Sequence, residues 1–193
     1  MTAEYKLTLP LITLAQADPR AREVLDRAKA QVGFIPNMYA GMVNLPGLLE
    51  TYLLGYARFR SESGFTPAEQ EVVFLTISRD NRCHYCMAAH STLADKHSQV
   101  PMAVTDAIRD GKEISDPRLS ALFDFTRIML WTQGRPRQED VAAFLKAGYS
   151  EHQILAIILA IAVKTLSNYS NHLFHTPVDE MFADRAWRGH DDD

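Results

Sequence analysis

The chain has 193 residues, 47% apolar and 23% charged, an ordinary globular balance that can build a sizeable core. Its 20 Lys and Arg against 24 Asp and Glu leave a formal charge of -4 with no long basic run, so binding of nucleic acid through phosphate neutralisation is a poor reading. The N-terminal stretch is mixed and proline-interrupted rather than a basic-then-apolar leader, and the longest apolar run, Ile154 to Val163, is about half of what a bilayer span needs. No membrane partner is expected. Two cysteines make no disulfide scaffold, and in a chain of this kind the expectation is a soluble, cytoplasmic protein whose pair is catalytic or metal-binding.

Residues 1–17 read as an extended arm carrying Leu7, Leu9, Leu11 and Ile12. Asp18-Pro19 supplies an N-cap and a first-turn proline, and Gly33 stops a helix whose apolar face holds Ala21, Val24, Leu25 and Ala28. A turn at Phe34-Ile35-Pro36-Asn37 leads into a short apolar segment, Met38 to Leu45. Pro46 then restarts a helix that closes near Gly64. Thr66-Pro67-Ala68-Glu69 is a capping box, and its helix is predicted to run to about Arg79. Asp80-Asn81 should break it and cap the next helix, placing Cys83 in that helix's first turn.

Further helices are predicted from Pro101 to Gly111, from Asp116-Pro117 through Leu130, and from Gln138 to Ala147. Ser150 caps a long one that Pro177 ends. Its first half is apolar nearly all round, which predicts burial in the middle of a bundle. Residues 182–193 are expected as a loose tail. No stretch alternates as a strand would, so the chain is predicted to be a single all-α domain of roughly eight to ten helices. The Ser150 helix and Asn168-Tyr-Ser-Asn-His echo the Thr66 helix and Asn81-Arg-Cys-His-Tyr-Cys. A duplicated helical unit would produce that pattern, and so would convergent bundle composition.

The chemistry concentrates between Thr66 and Asp95. Cys83 and Cys86 stand three apart, His90 follows four later, and Glu71 precedes Cys83 by twelve. On a helix the two thiols and the imidazole share one face. A thiol needs a helix N-terminus, a cation or a hydrogen-bond network to become a nucleophilic thiolate. Cys83 has the helix end; Cys86 has His90, which Glu71 can orient. If Cys86 attacks a peroxide bond it becomes a sulfenic acid, which Cys83 can condense into a disulfide. Zinc held by Cys83, Cys86, His90 and a distant histidine is an alternative, as is a buried pair without function. A redox-responsive or thiol–disulfide exchange module acting on a protein partner is another. Tyr85 and His84 are auxiliary candidates that face either solvent or core. His172 and His175 read as amphipathic residues where a buried helix emerges.

Glu71, eleven residues, then Cys83-His-Tyr-Cys86-Met-Ala-Ala-His90 resembles the signature of the AhpD-like alkylhydroperoxidases of the carboxymuconolactone decarboxylase superfamily. Asn168 to His172 and Thr176 to Asp179 resemble the tail of its peroxidase-related branch. The resemblance implies an all-α AhpD-like helical bundle that assembles as a dimer, trimer or hexamer. It implies hydroperoxide reduction with Cys86 as peroxidatic thiol, Cys83 as resolving thiol, and Glu71 and His90 as a proton relay. A protein or small-thiol reductant would reopen the disulfide, with no cofactor and no metal. The best-known branch carries a histidine immediately before the second cysteine. This chain has Tyr85 there, a poor base at neutral pH with an ordinary pKa near 10.

Overall fold

Local punctuation sets most of the helix ends. The computed structural model describes residues 4–189, and among them nine α-helices run in order: α1 Pro19–Val32, α2 Asn37–Met42, α3 Pro46–Glu62, α4 Pro67–Asp80, α5 His84–Lys96, α6 Met102–Asp110, α7 Pro117–Trp131, α8 Gln138–Lys146 and α9 Glu151–Phe174. A 3-10 turn, Glu180–Arg185, follows. Asp18 accepts from the Ala21 amide at 2.8 Å to start α1, and Gly33 closes it in the left-handed region at φ 88°. The Thr66–Glu69 capping box is formed in both directions, and Gln153 returns to the Ser150 amide at 2.9 Å in the same way.

The helix buried on every side is α4, not α9. Its residues from Glu69 to Ser78 are all buried, packed by α5, α6, α7 and α9. The polar members are each given an internal partner, as burial requires. Thr76 and Ser78 donate back to the carbonyls of Val72 and Phe74 at 2.6 Å, Gln70 donates to the carbonyls of Arg60 and Phe65, and Arg118 reaches Glu69 at 3.0 Å. The expectation for α9 needs correcting: Leu155 and Ile158 in its first half are 66% and 49% exposed. An apolar circumference says that a helix avoids water, not which neighbour covers it. The α3 residue Leu54, on the helix that packs against α9, is likewise open at 60%.

Two further expectations change. Cys83 is the residue before α5 rather than part of its first turn. Arg82 takes φ 54°, the link is only three residues long, and Cys83 is left extended with its amide on the Ser78 carbonyl at 2.8 Å. The segment from 182 onward, expected loose, is packed as far as it is described: Phe182 is buried, Arg185 pairs with Asp95 and Asp106, and Trp187 donates to the Arg109 carbonyl. Aromatic and paired charged residues among polar ones give it a buried face that composition alone did not signal. Residues 190–193 of that tail, and 1–3 of the N-terminal arm, lie outside the described residues. In the described part of the arm Leu7 donates to Leu173 and Ile12 to Ala40, and residues 14–16 form a turn before α1. The two halves of the internal echo meet where Asn81 donates to Asn168 at 2.9 Å, but α9 runs unbroken where α4 and α5 are separate helices.

Candidate active site

The site lies where α5 crosses α9, with α4 behind it. The chain reversal at Arg82 presents Cys83 at the N-terminus of α5, and the first turns of that helix bring Cys86 and His90 onto the same side. All three are buried, as is Glu71 on α4: exposures are 0% for Cys83, 2% for Cys86, 4% for His90 and 1% for Glu71. Both cysteines are free thiols.

Glu71 is held between a guanidinium and an imidazole. One carboxylate oxygen accepts from Arg60 of α3, and the other lies 2.8 Å from Nδ1 of His90. Burial would raise its pKa, but His90 and Arg60 outweigh that and hold the carboxyl below its usual value. An ionised carboxylate can only accept, so Nδ1 of His90 must be the donor, which leaves Nε2 with a free lone pair. Burial, and next the charge of Lys164, push the imidazole pKa down against the pull of Glu71. His90 is therefore a neutral base whose tautomer is fixed by its partner.

The two sulfurs differ sharply. Burial pushes the Cys83 thiol up, and the adjacent Cys86 pushes it further. Burial acts on Cys86 in the same direction, but the Cys83 hydrogen bond and then the Lys164 charge outweigh it and hold Cys86 well below the ordinary thiol value. The Asn171 side-chain amide reaches both sulfurs, at 3.3 Å from Cys86 and 3.7 Å from Cys83, and Ser167 Oγ lies 3.9 Å from Cys86. The arrangement sets a thiol favoured as its anion at Cys86 beside a second thiol, with a neutral imidazole one turn along.

Lys164, Ser167 and Asn171 were not singled out from sequence. The signal was available: a lysine inside an apolar run, followed by polar residues at helical spacing, all on one face of α9. Tyr85 and His84 go elsewhere. Tyr85 donates to Asp179 and packs edge-on against Phe182, while His84 is exposed, with Nδ1 2.8 Å from the Trp187 carbonyl. Both fasten the C-terminal segment over α5. His172 stacks on Tyr169 and His175 is the left-handed cap of α9, neither at the sulfurs. Among the described residues no three His, Cys, Asp or Glu side chains converge as metal ligands would. A cavity of about 470 Å³ between α7 and α8 shares no residue with the site.

Comparison with known proteins gives the fold independently. The chain is similar to the crystal structure of an alkylhydroperoxidase AhpD core, an uncharacterized peroxidase-related protein from Ralstonia eutropha JMP134, with TM-score 0.78 and 21% identity, covering 93% of this chain and 96% of that one. An uncharacterized peroxidase-related protein from Silicibacter sp. TM1040 aligns with TM-score 0.74 and 18% identity, covering 92% and 93%. No protein-family model and no curated protein matches. At these identities the likeness establishes the fold: an all-α, AhpD-like helical bundle, as the sequence resemblance implied.

Proposed function

We propose that this chain reduces hydroperoxides by cycling Cys83 and Cys86 between dithiol and disulfide. The observation that carries the reading is the geometry of the site: two free thiols three residues apart, both reached by the Asn171 amide, beside a neutral imidazole whose free nitrogen is fixed by Glu71. The Cys86 proton passes to Nε2 of His90. The thiolate attacks the outer oxygen of R–O–OH, the O–O bond breaks, and sulfur is oxidised to the sulfenic acid as the alkoxide takes the proton back. The Cys83 thiol then attacks the sulfenic sulfur, a sulfur–sulfur bond forms and water leaves. Two equivalents of an external thiol restore the dithiol by exchange.

The similar solved structures are described as peroxidase-related, which supports the reading by analogy. Burial of both sulfurs weighs against direct attack by a protein thiol and for a small oxidant. Homo-oligomer formation belongs to the same proposal, with a second copy covering Leu54, Leu155 and Ile158, as does a reducing, cytoplasmic setting for the two free thiols. By length and composition α9 could cross a bilayer, but it carries Lys164 and packs against five other helices, as a core helix does.

The test is stopped-flow consumption of cumene hydroperoxide by the reduced chain. Cys86→Ser should abolish it, and Cys83→Ser should allow one turnover and leave a sulfenic acid that dimedone traps. Equal rates in wild type and Cys86→Ser would sink the reading.

A further inference from the structure

We propose that Lys164 is a catalytic cation of this site: its enclosed ammonium stabilises negative charge first on the Cys86 sulfur and then on the oxygen that departs when the hydroperoxide bond breaks. The first half stands on the structure alone. The second rests on the peroxidase reading.

Lys164 is 0% exposed, in the apolar centre of α9, and its Nζ has no hydrogen-bond partner. The Phe74 ring lies 5.5 Å away at the centroid, toward the limit of a cation–π contact, and Cys86 is close enough to feel the lysine charge. A buried ammonium without a partner destabilises a fold, and methionine would fill nearly the same space without that penalty. Such a group calls for a functional explanation.

Its position supplies one. Lys164, Ser167, Asn168 and Asn171 follow one another at helical spacing along a single buried face of α9. That face meets the sulfurs: Asn171 and Ser167 are the residues at 3.3 and 3.9 Å from Cys86. Two more atoms on it are buried and unpartnered, Nδ2 of Asn168 and Oδ1 of Asn171. Unused donors and one unused acceptor beside a nucleophilic sulfur match what a hydroperoxide offers, two oxygens and one O–H. The other cations of the neighbourhood are spent or absent. Arg60 is committed to Glu71, to the Tyr56 hydroxyl at 2.6 Å and to Gln70, and His90 is neutral.

The groups facing Cys86 are Cys83 just before its helix, Tyr85 and His90 on that helix, Tyr39 from α2, Tyr52 and Tyr56 from α3, and Lys164 from α9. Burial keeps all four phenols protonated well into alkali, and Glu71 with Arg60 forms a compensated pair. A Cys86 titration therefore carries the Cys83 hydrogen bond, the Lys164 charge and His90, and the Lys164 share is isolated by comparing variants at that one position.

The experiment follows ultraviolet thiolate absorbance of the reduced full chain against pH, with Cys86→Ser as blank, which needs no reagent to enter the core. Wild type should keep its Cys86 absorbance below neutral pH. Lys164→Met should move the transition up by about one pH unit or more, a tenfold loss of thiolate or greater, and should melt no lower than wild type, while Lys164→Arg should retain most of the low transition. A folded Lys164→Met that titrates like wild type overturns the proposal. So does one that cannot fold, because the lysine would then be structural. For the second half, cumene hydroperoxide consumption is compared at a pH where wild type and Lys164→Met are both fully thiolate. The variant should remain slower by about 100-fold, as for a lost oxyanion donor. Equal rates there remove the oxygen-donating role. If titration depends on Lys164 but wild type consumes no hydroperoxide, the peroxidase reading falls and the charge-stabilising role stands.

Discussion

Replacing Glu71 by glutamine tests the relay at the point where geometry and stability meet. The carboxylate is 1% exposed and accepts from Arg60 through one oxygen and from His90 Nδ1 through the other. Glutamine has a single acceptor. If its oxygen stays with Arg60, its amide faces Nδ1 and forces the imidazole into the opposite tautomer, with the proton on Nε2 where the base should be. If it turns over, the amide meets the guanidinium instead. Removing one partner of a buried ion pair costs about 3 to 5 kcal/mol, and Arg60 keeps 24% side-chain exposure, which places the cost near the lower end, about 3 kcal/mol. For a chain of this length that is a fall in Tm of roughly 6 to 12 °C. Loss of a positioned base should cut the rate of hydroperoxide reduction about 100-fold or more. The pH dependence has a definite sign. Because the folded carboxyl sits below its usual value, its stabilisation is complete above the ordinary glutamate pKa of about 4.3 and disappears as pH falls through the folded value. Melting curves of wild type and Glu71→Gln should therefore converge in acid. A Tm within a degree or so of wild type at neutral pH, or curves that stay parallel into acid, would refute the pairing argument.

Two other perturbations probe the frame around the site. A Cβ at Gly55 would lie 2.8 Å from Cγ2 of Val163, next to Lys164, and a β-branched side chain on a packed helix yields little. Gly55→Ala should destabilise by about 1 to 2 kcal/mol despite the better helix propensity of alanine, measured by urea unfolding; a gain in stability would show that α3 and α9 can separate freely. Asp179 accepts from the Tyr85 hydroxyl and from the Asn37 amide at 3.2 Å. Asp179→Ala should cost about 1 to 3 kcal/mol and raise amide exchange across 177–187 with little change at α4; uniform exchange through the chain would contradict a locally fastened segment.

The helix ends were legible because their causes are local. Asp18, Thr66, Asp116 and Ser150 start helices through side chains or backbone groups no more than three residues away. Glu71, Cys83, Cys86 and His90 were legible for a related reason: three share one helix by spacing, and the fourth completes a recognisable interval. What could not be read was the opposite wall. Asn171 is 85 residues from Cys86 along the chain, and nothing in either segment says that they meet. Lys164 was the nearest to a signal, since an isolated charge in an apolar helix needs a reason. The fates of Tyr85 and His84 were set by Asp179 and Trp187, in a segment whose packing depends on contacts made after the helices assemble.

The buried strip of Lys164, Ser167, Asn168 and Asn171 gives α9 two duties at once. It spans the fold as a structural beam, and it forms one wall around the two sulfurs, the chamber in which we propose that the reaction takes place. A substitution there that tightens the beam, by exchanging amide or ammonium for hydrocarbon, strips the chamber of its donors. One that enriches the chamber loosens the beam. Engineered heat resistance and engineered reactivity should consequently trade against each other along this strip, whereas on α1 or α8, which line no part of the chamber, either can be altered alone.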